Sequence, residues 1–185
     1  PAANVCAGQN VIVPITVEAI PSIQFSAANQ AICSGNITQA INLSSNVANT
    51  TMAWTAVAPP GILGATLSGS NTIPAQTLTN STTAPLTITI TGNATINGCV
   101  GTNNNYTIQV YPNPVLVVTP SIDTICSGTN ILAQLTSNIL NTTYQWTVIP
   151  NVNITGATNG SGATINQLIL NSSMQLQNFS YLITP

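Results

Sequence analysis

Four cysteines are the residues of this 185-residue chain with the widest chemical range. Cys6 and Cys33 lie 27 positions apart, Cys99 and Cys126 lie 27 apart, and the second pair follows the first at an offset of 93. Thiols can close disulfides, hold zinc or act as nucleophiles. Zinc needs close cysteine pairs or histidines, and the sequence offers neither. A nucleophilic thiol or hydroxyl needs a neighbouring base or cation, and the chain has no His, Lys or Arg. Its only carboxylates are Glu18 and Asp123. They fall at non-equivalent points of the repeat, opposite Tyr111 and Gln30, whereas calcium takes several carboxylates at one place. The sequence therefore predicts no catalytic residue, no cofactor and no metal site.

Composition removes further classes. Charged residues make up 1% of the chain, against roughly 25% in an ordinary globular protein. No cation is available to neutralise phosphates, so no nucleic-acid partner is expected. Hydrophobic residues reach 44% and mean hydropathy is +0.35, which fits packed cores under a neutral hydroxyl-and-amide surface rather than a disordered chain. Thr, Ser or Asn interrupts every apolar run, so no membrane-spanning helix is expected. Pro1-Ala2-Ala3-Asn4 has neither a basic nor an apolar stretch, as if a signal peptide were absent or removed.

The elements that would position these residues repeat with the cysteines. Ile32-Cys33-Ser34-Gly35 recurs as Ile125-Cys126-Ser127-Gly128, and Cys6-Ala7-Gly8 as Cys99-Val100-Gly101. Asn49 to Thr55 recurs as Asn141 to Thr147, each with one tryptophan, Trp54 and Trp146. Self-similarity at this length means tandem small domains. Val11, Val13, Ile15 and Val17 alternate with other residues, as do Tyr106, Ile108 and Val110, and Leu86, Ile88 and Ile90 alternate with threonines as Phe179, Tyr181 and Ile183 alternate with Ser180, Leu182 and Thr184. That is the period of half-buried strands. Further strands are expected around 41–43, 52–57, 62–67 and 73–78. The whole reads as all-β, with tandem immunoglobulin-like antiparallel β-sandwiches in an elongated array. Residues 1–20 are expected to be the last strand of a preceding module, 21–113 a complete sandwich, and 114–185 a second sandwich lacking its last strand. Joining Tyr181–Pro185 to Pro1–Gly8 reproduces the internal stretch 87–101, so the object is expected to continue in both directions as a fibre. One tryptophan per module at one strand position reads as core rather than as a sugar platform.

The Ile-Cys-Ser-Gly turn, the Thr-Thr-x-x-Trp-Thr strand, Asn153-Ile154-Thr155-Gly156-Ala157 with Gly160-Ser161-Gly162, and Cys-x-Gly before a strand ending in Pro112-x-Pro114 resemble the PKD-like repeats of large Bacteroidota cell-surface proteins. The resemblance covers essentially the whole chain. It implies an immunoglobulin-like sandwich, export by the type IX route, an extracellular or cell-surface location and roles such as gliding adhesins or surface filaments. In an exported repeat the cysteines are expected to be oxidised. Near-equal spacing favours a Cys33–Cys99 bond within one module, with Cys6 and Cys126 bonded to neighbouring repeats. Local pairing of Cys6 with Cys33 and of Cys99 with Cys126 stays open. Asp123-Thr124-Ile125 is similar to an O-glycosylation pattern of these bacteria, which makes Thr124 a candidate. Asn-x-Ser/Thr sequons, among them Asn80 and Asn171, arise often in so Asn- and Thr-rich a chain.

Together these features predict a structural segment of an extracellular filament or adhesin stalk, without catalysis, whose partners are copies of itself along a fibre, bundled laterally, and glycans. Within that class, one giant continuous chain competes with separate subunits that donate Val11–Val17 to a neighbour's sheet. A carbohydrate- or surface-binding module is the alternative of a different class, and it requires an exposed aromatic cluster.

Overall fold

The structure, a computed structural model, describes residues 9–185. The segment 9–21 forms no strand. The first sandwich follows with β1 (Ile23–Phe25), β2 (Gln30–Cys33), β3 (Ile41–Ser45), β4 (Thr51–Val57), β5 (Ile62–Leu63), β6 (Ser68–Ser70), β7 (Thr72–Ile73), β8 (Thr79–Asn80), β9 (Leu86–Ile96), β10 (Cys99–Val100) and β11 (Asn104–Tyr111). The second contains β12 (Leu116–Thr119), β13 (Thr129–Ser137), β14 (Gln145–Ile149), β15 (Ile154–Thr155), β16 (Gly160–Ser161), β17 (Thr164–Asn171) and β18 (Ser180–Thr184). The described residues are all-β and contain no helix.

In the first module one sheet has the order β1-β3-β7 and the other β2-β11-β9-β4-β6, with β10 folded back onto β9. The second module has β12-β13-β17-β15 facing β16-β14-β18. Threonines alternate with apolar residues along the first half of β9, as Thr107 and Gln109 alternate with Tyr106, Ile108 and Val110 along β11, and every second side chain enters the core: Ile88, Ile90, Tyr106, Ile108 and Val110 are all buried. The sandwich is not purely antiparallel, as the sequence had suggested. β2 runs parallel to β11, Gln30 beside Ile108 and Cys33 beside Tyr111, because the chain leaves β1 and crosses to the opposite sheet before turning into β3.

The repeated motifs have structural causes. Gly35 and Gly128 sit at φ +86° and +87°, a left-handed conformation that a Cβ disfavours, and donate N–H bonds of 2.8 Å to Leu78 O and Ile169 O. The two tryptophans are core residues, 2% and 6% exposed. Each Nε1 donates a 3.1 Å bond to a backbone carbonyl, of Thr72 or Thr158. A glycine lies flat against each indole: a Cβ on Gly69 or Gly160 would stand 2.7 or 2.6 Å from the ring. Gly160→Ala is therefore expected to destabilise the second module by about 1–3 kcal/mol through overpacking. Chemical denaturation should show that loss, and it should shrink in a Trp146→Phe background.

The cysteine expectation needs correcting. Cys33, Cys99 and Cys126 form no disulfide with one another within the chain. Cys33 is level with Tyr111 at one end of β11, whereas Cys99 pairs with Ile96 beyond the far end of the β9–β11 ladder. Eleven residues of β9 separate the two levels, roughly 30 Å at strand rise, and a disulfide needs Cα atoms within about 7 Å. A Cys33–Cys99 bond inside one module is thus ruled out by the ladder register, a constraint that sequence spacing does not contain. Cys6 lies outside the described residues.

Candidate functional site

The two modules differ most at one edge. In the first, β9 is flanked on both sides, by β4 and by β11. Its counterpart β18 pairs only with β14, through Ile183 opposite Trp146 and Tyr181 opposite Val148. Among the described residues nothing pairs with the other edge of β18. The counterpart of β2, residues 123–126, is not a strand either, since a parallel strand needs a β11 to bind to. Its residues Asp123, Thr124 and Cys126 are exposed.

Between these two unpaired segments runs an apolar slot. Its wider part is a cleft of about 520 Å³ lined by Ile125, Ile131, Ile165, Phe179, Tyr181 and Ile183. It continues into a cleft of about 230 Å³ that shares Ile125 and Phe179 and reaches Ile169 and Leu176. This is where Tyr106, Ile108 and Val110 of β11 are buried in the first module. Phe179 and Tyr181 are only partly buried, while their counterparts Ile88 and Ile90 are sealed. Burial still lifts the Tyr181 hydroxyl above the ordinary tyrosine range, and its Oη donates a 2.7 Å bond to Gln167 Oε1.

The polar fittings at the end of the slot exist in both modules. Asn80 is buried, takes N–H and O–H bonds of 2.9 and 2.7 Å from Thr82 on Oδ1, and donates through Nδ2 to Ala84 O and Val110 O, 2.8 Å each. Its N–H donates to Ser34 Oγ at 2.9 Å. Asn171 repeats the arrangement with Ser173, Gln175 O and Ser127 Oγ at 2.9 Å. The bond to a last-strand carbonyl is the one it does not make. In the sequence Asn80 and Asn171 read only as sequons. The recurrence of Asn-x-Thr and Asn-x-Ser at matching positions was the available signal, and burial excludes Asn80 as a glycosylation acceptor in the folded module.

Other predicted residues are dispersed. Glu18 Oε1 accepts a 2.6 Å bond from Asn97 Nδ2, and Asp123 Oδ1 accepts one of 2.9 Å from Thr124 N at the lip of the slot. Thr124 corresponds to Ala31 of β2, whose side chain is exposed, so a sugar there would not fill the slot. Val11, Val13, Ile15 and Val17 are 72–87% exposed. A strand-patterned apolar segment without a sheet and a sheet edge without a strand therefore occur in one molecule.

The architecture defines an immunoglobulin-like β-sandwich protein of two modules, one of them with an open edge. The PKD-like domain family matches residues 30–114 and 123–185, and the chain belongs to that family. No curated protein matches the chain closely enough to count as a relative.

Proposed function

We propose that the chain is a structural segment of an extracellular filament or adhesin stalk, built from tandem PKD-like sandwiches and spanning distance without catalysis. The observation that carries this reading is the recurrence of one sandwich whose second copy presents a free β18 edge and an apolar slot where the first copy holds β11. Such an edge invites strand pairing, which joins modules along an axis. PKD-like domains are in general structural or adhesive and extracellular, and export by the type IX route fits the resemblance to Bacteroidota surface repeats. Cys33 and Cys126, exposed at equivalent points of their modules, are available for bonds between repeats. Thr124 is the proposed glycan site.

With a net charge of −2, neighbouring fibres repel one another little, and lateral bundles form through backbone, hydroxyl and amide contacts. Electron microscopy of the native material should show fibres whose bundling is unchanged by salt, and antibodies to the chain should label intact cells. Salt-induced dissolution of the bundles, or a signal only after cell lysis, would contradict the reading. Stability is expected to be flat from about pH 5 to 9, since the chain has no histidine or lysine. It should fall above about pH 10. Burial raises the Tyr106 and Tyr181 hydroxyls, so the folded state favours their neutral forms. That contribution is complete below the unfolded tyrosine pKa and is lost as pH rises through the folded one. Equilibrium denaturation across this range checks both limbs.

A further inference from the structure

The slot has a shape and a chemistry that select its occupant. We infer that residues 10–18 of a second copy of this chain insert into it as a strand, antiparallel to β18 and parallel to residues 123–126, giving head-to-tail assembly. The inference deepens the fibre reading and rests on it only for the claim that modules continue along an axis.

The register follows from the first module. Tyr181 opposes Val148 of β14 as Ile90 opposes Ala56 of β4, so Tyr181 takes the place of Ile90 and Phe179 that of Ile88. There Tyr106 faces Ile90 and Ile108 faces Ile88. At the sequence offset of 93, Val13 then lies opposite Tyr181 and Ile15 opposite Phe179, with Val11 and Val17 on the same inward side. Side-chain volumes compensate across this pairing. The first module sets a large Tyr106 and an Ile108 against two isoleucines, and the slot sets a small Val13 and an Ile15 against Phe179 and Tyr181. Interiors packed to constant density require such trade-offs.

Backbone and polar details agree. A proline inside a strand is tolerated only where its missing N–H is not part of the ladder. Pro14 corresponds to Thr107, whose N–H points away from β9 and donates to Asn29 Oδ1 at 3.0 Å. Val17 corresponds to Val110, so its carbonyl would accept the remaining Nδ2 hydrogen of Asn171, as Val110 O accepts that of Asn80 at 2.8 Å. Glu18 corresponds to Tyr111, which is 42% exposed at the rim, so its charge stays in water. Residues 10–17 are presented rather than tucked into their own module, Ile15 being 83% exposed, and the segment is held to that module at its end, where Glu18 accepts the bond from Asn97.

The test uses the full chain. Sedimentation should give a ladder of masses in multiples of 19.0 kDa that lengthens with concentration. The double variant Val13→Asp, Ile15→Asp should sediment as a monomer with the first module intact, because both positions are exposed. Adding a synthetic peptide of residues 9–20 to that variant should slow hydrogen exchange of the β18 amides at least about 100-fold, and the same peptide carrying the two aspartates should not. A wild-type chain that stays monomeric, a monomer whose β18 amides are already protected by its own strand, or a peptide without effect on exchange would each overturn the inference. Fibres in native material alongside a monomeric 19.0 kDa chain would leave the fibre reading standing and remove this one.

Discussion

Heating the double variant Val13→Asp, Ile15→Asp, whose slots stay empty, is expected to unfold it in two steps, the module around Trp146 first. The first module closes its core with 13 buried apolar residues, the second with five. Three of the eight residues that make the difference belong to the last strand: Tyr106, Ile108 and Val110 are at most 1% exposed, and among the described residues nothing equivalent is buried in the slot. Full burial of such a side chain contributes about 1.5–3 kcal/mol, so the open module forgoes roughly 5–8 kcal/mol. At about 4–8 °C per kcal/mol for a domain of this size, the two midpoints should lie at least about 20 °C apart. Tryptophan fluorescence in Trp54→Phe and Trp146→Phe backgrounds assigns each transition to its module. The peptide of residues 9–20 should raise only the lower midpoint. Coincident transitions would mean that the second module is complete as it stands.

Ile108→Ala and Ile15→Ala are expected to differ by most of the stability of a module, although the two residues occupy the same position of the repeat. Ile108 is 1% exposed, inside β11, with β9 on one side and β2 on the other. Its truncation leaves a cavity between the sheets and should cost about 2–5 kcal/mol. Ile15 lies on a segment without a strand, and in a monomer its truncation should change the denaturation midpoint of neither module. In the assembled state it should weaken the chain-to-chain contact instead. Urea titrations monitored at Trp54 and Trp146, below and above the assembly concentration, separate these outcomes. A loss from Ile15→Ala in the monomer would show that residues 9–20 already pack against their own chain.

Much of the architecture was legible in the residues. The cysteine offset and the recurring Trp strand gave two modules, alternation of Leu86, Ile88 and Ile90 gave β9, and the unmatched Phe179-x-Tyr181-x-Ile183 gave the exposed edge of β18. Alternation along Val11–Val17 marked strand character but not strand formation, because a strand exists only against a partner ladder. Of the stretches 62–67 and 73–78, read as strands, only Ile62–Leu63 (β5) and Ile73 (the end of β7) are strand, and β6 and β8 begin just beyond them. Side chains replace the ladder there: Gln76 Oε1 accepts from Thr66 N at 2.6 Å, and Thr38 Oγ1 accepts from Gln76 N at 3.0 Å. Propensity does not reveal such substitutions. The Asn80–Ser34 and Asn171–Ser127 latches were hidden for the same reason, since residues 46 and 44 positions apart meet only once both sheets have formed. Cysteine spacing failed because it measures contour length, while a disulfide depends on which end of the sandwich each thiol occupies.

A cryo-electron microscopy map of the native fibre at side-chain resolution tests the central claim most directly. It should show, in the second module of every copy of the chain, a continuous strand between the β18 edge and residues 123–126, with a valine opposite Tyr181 and an isoleucine opposite Phe179. A map in which residues 123–126 pair straight onto β18, closing the slot with no inserted strand, would contradict the account.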